Sequence, residues 1–180
     1  TLCNLTNHTY FNLAGQGAGT VLSQTLSIEA DAYTRIDPRI LPTGEIEPVA
    51  GTPLDFRTAK PIGQDITSHA ERMDAALGYD HNFVLNHPHG GVELVASAAD
   101  PVGGITMDLY TDQPGVQFFT PYDMCGMRGK NGTVYSSRAG FCLETQHFAN
   151  AMEHAHFPSI ILKSGDVYTS ETIYRFNIEA

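Results

Sequence analysis

Two side chains far apart in the sequence, those of His8 and Glu144, could together transfer protons near neutral pH. An imidazole can donate a proton in this range and a carboxylate can accept one. A fold that brings them together across a cleft would form an acid–base pair that needs neither a metal ion nor a nucleophile. An imidazolium facing a carboxylate would also favour both charged forms.

Both residues also have ordinary structural interpretations. A histidine can be a structural residue hydrogen-bonded within a sheet, and for His8 considered alone this interpretation carries more weight. Glu144 could be a solvent-facing residue of an edge strand. However, it follows an apolar run at 141–143, where a carboxylate is costly unless it is paired or functional. Strand alternation places Glu144 on one face with Cys142 and Gln146, and Phe141 and Leu143 on the other.

Two further polar side chains could bind hydroxyl groups. Asp80 lies in a polar segment at 78–83, where it could accept hydrogen bonds or serve as a turn residue. Gln117 lies among aromatic residues at 114–119, and its amide can donate and accept at once. The alternative for Gln117 is an outward-facing strand position.

The eight histidines raise the question of a metal site. The pairs His87/His89 and His154/His156 would each share a face if they lay in strands. No set of cysteine or carboxylate ligands is spaced around either pair. We therefore expect no metal site.

Composition limits the classes of function. The 180 residues are 42% apolar and 17% charged, which is typical of a folded domain rather than a disordered or membrane-spanning chain. A net charge of −10 disfavours binding to nucleic acid, anionic lipid or phosphorylated substrates. The three cysteines, Cys3, Cys125 and Cys142, are unclustered and indicate reduced thiols. No signal peptide pattern is visible, which predicts a cytoplasmic protein, with a periplasmic location left open.

Glycine and proline punctuate short segments throughout, which favours an all-β fold. The clearest alternation covers 167–178 and 105–111, and shorter strands are predicted at 25–30, 81–85, 92–96, 116–119 and 141–145. Gly90-Gly91 and Gly103-Gly104 are predicted as turns. Five prolines at 37–61 indicate an extended edge or loop, and 67–77 could form one or two helical turns. No repeat or linker interrupts residues 1–180, so we expect a single domain.

Taken together, these segments resemble the aldose 1-epimerase, or galactose mutarotase, family. The resemblance covers nearly the whole chain in order, through the motifs at 7–13, 37–44, 78–83, 114–119, 140–148, 157–159 and 174–176. It implies a large antiparallel β-sandwich with a sugar bound in a cleft on one sheet, and neither a metal nor an organic cofactor. It also implies that His8 is the general acid and Glu144 the general base. Asp80 and Gln117 would bind sugar hydroxyls, with Thr9 and Tyr10 beside the acid as further substrate-binding residues.

The resemblance implies a reaction on free monosaccharides such as galactose or glucose. Ring opening and reclosure would exchange the α and β anomers. Two other functions stay open: a non-catalytic sugar-binding or regulatory module of the same fold, and a hexose-phosphate epimerase, which the net charge disfavours.

The chain departs from the family in two respects. Family members are considerably longer, and their upstream half supplies further sugar ligands that have no match here. The chain therefore corresponds to the C-terminal portion of the sandwich, and we expect it to act as a monomer or homodimer that needs an N-terminal half. The segment at 120–123 also replaces a Gly-Asn step, which predicts a different rim of the cleft.

Overall fold

The computed structural model describes residues 1–67, 77–86 and 91–178. These residues form ten β-strands and two short 3₁₀ helices, Lys130–Gly132 and Ala151–Glu153, without any α-helix. The all-β prediction is confirmed. In this part of the chain, no helix is long and apolar enough to cross a membrane. The predicted helical turns at 67–77 lie largely outside the described residues, as does Gly90 of the predicted Gly90-Gly91 turn.

The strands form two antiparallel sheets of five strands each. In chain order they are β1 (Thr25–Ile28), β2 (Ala32–Ile36), β3 (Pro42–Pro48), β4 (Lys60–Pro61), β5 (Asp80–Val84), β6 (Glu93–Ala99), β7 (Ile105–Thr111), β8 (Gly115–Phe119), β9 (Cys142–Gln146) and β10 (Thr172–Ile178). The first sheet has the order β10-β7-β6-β1-β4, and the second has the order β3-β2-β5-β8-β9.

One continuous hydrophobic core joins the inner faces of the two sheets. Tyr79 stacks on Phe118 with ring centroids 4.8 Å apart, and Phe56 meets Phe118 edge-on at 5.4 Å. The first sheet contributes Leu26, Ile28, Val95, Met107 and Leu109, and the second contributes Tyr33, Phe83, Val116, Phe118 and Leu143. Because these side chains fill the space between the sheets, the alternate side chains of the second sheet point outward.

Every predicted strand overlaps a strand of the structure. β7 coincides with the predicted segment, with Met107 and Leu109 buried and Asp108 and Tyr110 half-buried. The prolines at 37–61 do mark sheet edges, since β3 and β4 are the outermost strands of their sheets.

The longest predicted strand was too long, and one observed strand was not predicted. The strand predicted at 167–178 begins only at Thr172, because its partner β7 ends at Thr111, directly opposite. β2 was not predicted. Its consecutive residues Tyr33 and Thr34 are both buried, and an irregularity in its pairing with β3 follows Thr34. Such a strand shows no alternation in its sequence.

Candidate active site

The outward face of the second sheet carries most of the polar residues singled out by the sequence. Directly opposed residues on neighbouring antiparallel strands share a face of the sheet. Asn82 of β5 pairs with Gln117 of β8, which pairs with Glu144 of β9, so these three side chains form one row. The adjacent row is formed by Asp80, Phe119 and Cys142.

His8 reaches this face from a segment that is not itself a strand. Two pairs of hydrogen bonds attach the segment to the two ends of β9. Asn4 donates to the carbonyl of His147 at 3.0 Å and accepts from its N–H at 2.9 Å. Phe11 and Phe141 exchange backbone hydrogen bonds of 2.8 and 2.9 Å. The residues between Asn4 and Phe11 are therefore held alongside β9, which places His8 above Cys142 and Glu144.

Gly140 allows this close approach. A Cβ atom at residue 140 would lie 3.3 Å from both the Phe11 carbonyl oxygen and the Tyr10 Cβ. A larger residue would thus push the N-terminal segment away from β9. The sequence around Gly140 accordingly contributes to positioning His8, although Gly140 carries no chemistry of its own.

His8 and Glu144 are in direct contact. The His8 Nε2 lies 3.4 Å from Glu144 Oε1, and the side chains are 49% and 10% exposed, respectively. The other ring nitrogen, Nδ1, lies 3.4 Å from the Cys142 Sγ. Tyr10 packs against the imidazole with ring centroids 5.1 Å apart, and Phe119 meets it edge-on at 5.9 Å. The ring is thus restrained on several sides but stays open to solvent.

The pair borders an open cleft of about 320 Å³, a volume at the lower end of small-molecule sites. Asp80 lies in the same cleft, where its Oδ1 accepts a hydrogen bond of 2.6 Å from Gln117 Nε2. The lining residues are His8, Asp80, Gln117, Phe119, Glu144, Gln146 and Ala149. The described lining therefore holds two carboxylates, two amides and an imidazole, and no lysine or arginine.

Burial dominates the electrostatics of both carboxylates. The pKa of Glu144 is raised mainly by burial and further by Asp80, and the neighbouring His8 only partly opposes this. Burial also raises the pKa of Asp80, against the lowering effects of Gln117 and His8. His8 lowers the pKa of Glu144, as expected for an imidazole facing a carboxylate, but desolvation has the larger effect. A raised pKa makes the Glu144 carboxylate a stronger proton acceptor.

The structure brings together four of the six predicted site residues, His8, Asp80, Gln117 and Glu144, as lining of one cleft. Tyr10 touches the cleft indirectly, through its contact with His8. Thr9 is not among the described lining residues, and its backbone N–H donates to Asn7 Oδ1 at 2.9 Å. Its role as a substrate ligand stays a prediction.

Of the two histidine pairs considered for metal binding, His154/His156 is not part of the cleft lining. The Nε2 atoms of His154 and His156 lie 3.2 and 2.8 Å from the carbonyl oxygens of Pro42 and Gly44, where they tie the loop to β3. His87 and His89 lie outside the described residues. Within the described chain, His8, Cys142 and Glu144 offer ligand atoms within 4.8 Å of one another. Two of these three groups are the candidate acid and base.

Sequence reasoning did not single out Asn82 and Phe119 on this face. Asn82 is 2% exposed, and neither polar atom of its side chain has a hydrogen-bond partner in the structure. Each lies two residues along its strand from a predicted ligand, Asn82 from Asp80 and Phe119 from Gln117. The alternation of strands was therefore the signal that could have found them.

An antiparallel β-sandwich that carries a histidine–carboxylate pair beside a polar cleft has the groups that acid–base chemistry on a small polar molecule requires. The chain belongs to the aldose 1-epimerase family, which it matches over residues 1–175.

Several relatives support this assignment. The chain is 41% identical to the galactose mutarotase of Sus scrofa over 179 residues, covering 99% of this chain and 51% of the relative. It is 40% identical to the galactose mutarotase of Homo sapiens over 182 residues, with the same coverage. A crystal structure of an aldose epimerase homologue from C. elegans superposes with a TM-score of 0.86 at 29% identity, covering 98% of this chain and 52% of that one. The chain thus spans about half the length of the relatives it matches.

Proposed function

We propose that this chain carries the acid–base pair of an aldose 1-epimerase that interconverts the α and β anomers of free aldohexoses such as galactose or glucose. The observation that carries the proposal is the 3.4 Å contact between His8 Nε2 and Glu144 Oε1 at the edge of a cleft that also contains Asp80 and Gln117. Membership of the family supports it.

The reaction follows from two proton transfers. Glu144 takes the proton of the anomeric hydroxyl while His8 gives its Nε2 proton to the ring oxygen, and the bond between the anomeric carbon and the ring oxygen breaks. The resulting open-chain aldehyde turns about the bond between its first two carbons. In reclosure His8 takes the proton back from the attacking hydroxyl and Glu144 returns its proton to the former carbonyl oxygen. Each such transfer contributes about 10²–10⁴-fold to the rate.

The other cleft residues fit the binding of an uncharged sugar. The Asp80 carboxylate can accept from sugar hydroxyls, and the Gln117 amide can both donate and accept. Phe119 offers an apolar surface against which the C–H groups of a sugar can pack, as does Tyr10 beside His8. A lining with two carboxylates and no described cationic side chain repels a phosphate group, which disfavours a hexose-phosphate epimerase.

We further propose that residues 1–180 are the C-terminal portion of a single mutarotase-like sandwich that acts in the cytoplasm as a monomer or homodimer. The coverage of about half of each relative supports a requirement for additional sugar ligands.

Polarimetry tests the proposed function. Freshly dissolved α-D-galactose and α-D-glucose would be followed with the 180-residue chain and with the chain joined to the N-terminal half of the pig relative. Faster anomer exchange by either protein, abolished in both by Glu144→Gln, supports the proposal. Sugar binding by calorimetry without faster exchange in either protein would instead favour the non-catalytic binding module.

A further inference from the structure

The Cys142 thiol lies beneath the imidazole of His8 and is fully buried. Its Sγ is 3.4 Å from Nδ1, the ring nitrogen that faces away from Glu144. Cys142 does not line the described cleft, so the thiol contacts the acid without contacting the space that a sugar would occupy. With this geometry Cys142 can influence a bound sugar only through His8.

The two contacts of the imidazole determine where its protons lie. Glu144 Oε1 lies 3.4 Å from Nε2, and because an ionised carboxylate only accepts hydrogen bonds, this contact favours a hydrogen on Nε2. In the neutral ring, Nδ1 is then an acceptor, and the hydrogen bond made by one ring nitrogen fixes the protonation of the other. The Cys142 thiol is the donor available to Nδ1.

The thiol stays protonated because its pKa is raised, chiefly by burial and further by Glu144 and Asp80. An S–H group is a weak donor and its sulfur a weak acceptor. It can therefore donate to Nδ1 of the neutral ring and, after rotation about the Cβ–Sγ bond, accept from the N–H of the imidazolium. A carboxylate at this place would instead hold a positive charge on the ring and oppose release of its proton.

We propose that Cys142 is a positioning residue that holds Nδ1 of His8 in both protonation states and so keeps Nε2 directed at the substrate. The proposal rests on the proposed function in assigning His8 as the acid. Proton balance is preserved because the reacting acid is the imidazolium, which holds a hydrogen on each ring nitrogen. When its Nε2 gives a proton to the ring oxygen, the Nδ1 proton stays on the ring and donates to Sγ; the thiol donates to Nδ1 only in the unliganded neutral ring, whose hydrogen is on Nε2. The thiol neither gains nor loses a proton.

The first test reads the tautomer of His8 in the unliganded chain by long-range ¹H–¹⁵N NMR, which requires no activity. We expect neutral His8 in the wild type to carry its proton on Nε2. Cys142→Ala should give a mixture of tautomers, and Cys142→Ser, which restores a donor and acceptor, should return the single tautomer. Cys125→Ala, at an exposed cysteine outside the site, is the matched control and should behave as the wild type.

The second test measures anomer exchange in whichever protein shows it. A hydrogen bond of this kind is worth about a factor of three to ten in rate. We expect kcat of Cys142→Ala to fall about threefold to tenfold with little change in KM, and Cys142→Ser to recover most of the loss.

A wild-type His8 protonated on Nδ1, or an unchanged tautomer in Cys142→Ala, would overturn the positioning role. The wild-type measurement decides this even if the alanine variant does not fold. If the tautomers follow expectation while no protein exchanges anomers, the proposed function fails and the positioning of His8 stands.

Discussion

The replacement Glu144→Gln separates the chemistry of the site from its stability. Glutamine has nearly the same shape as glutamate and fits a side chain that is only 10% exposed, but its amide cannot take a proton from the anomeric hydroxyl. Removing one general base costs about 10²–10⁴-fold in rate, or about 3–5 kcal/mol of transition-state stabilisation. Because Asp80 and Gln117 stay in place, we expect kcat to fall by this factor with KM nearly unchanged.

The same replacement lowers kcat but should not lower the stability of the folded protein where Glu144 is ionised. The folded-state pKa of Glu144 lies above that of an unfolded glutamate, chiefly because of burial. The stability that this group contributes is therefore fully present below the unfolded pKa and is lost as pH rises through the folded pKa. Above that range the buried carboxylate is ionised at a cost, so Glu144→Gln should melt no lower than the wild type. At acidic pH, where Glu144 is protonated, the melting temperature of the wild type should rise relative to that of the variant.

The measurements are polarimetric progress curves for kcat and KM, and thermal melts over a pH series. Glu171→Gln, at an exposed residue directly before β10, makes the same chemical change away from the cleft and should alter neither quantity. A Glu144→Gln protein with undiminished kcat would refute the role of Glu144 as base. Melting well below the wild type above neutral pH would refute the conclusion that burial dominates its pKa.

Three further replacements test the core, the strand support and the cleft. Phe118→Ala, at a fully buried ring, should lower the free energy of unfolding by about 3–5 kcal/mol in chemical denaturation; a loss below 1 kcal/mol, roughly, would contradict the packing. Tyr174→Phe removes a 2.8 Å hydrogen bond to the Leu143 carbonyl and should cost about 0.5–1.5 kcal/mol in the same assay, whereas an unchanged midpoint would argue against that bond. Gln117→Ala removes the proposed sugar ligand and the partner of Asp80, so KM should rise about tenfold or more, and a change confined to kcat would assign Gln117 a different role.

Regular strands made much of this site predictable. The alternation around Glu144 placed Cys142 on the same face, and the register of β8 and β9 confirms it. Alternation works here because β9 has one face in the core and one facing the cleft, so the sequence records which side is buried. The same reasoning failed for β2, where Tyr33 and Thr34 are buried in succession.

The position of His8 could not be obtained from local pattern. Its segment has no regular secondary structure and depends on contacts with residues far along the chain, such as the two hydrogen bonds between Asn4 and His147. Only the resemblance of separate motifs to one family linked His8 to Glu144. The pKa of Glu144 could not be predicted either, because it depends on the burial of the carboxylate in the folded chain, which the sequence does not show.

The candidate site therefore divides its two proposed proton-transfer groups between different kinds of structure. The proposed base, Glu144, is on β9, where burial raises its pKa. The proposed acid, His8, is on an irregular segment attached at Phe141 and His147, which flank β9, so its half-exposed ring stays open to solvent while its distance from Glu144 stays limited. Both groups thus depend on β9, and a displacement of this one strand would alter the acid and the base together. For a reaction in which the two groups must exchange roles in each cycle, such shared support maintains their relative geometry in both directions.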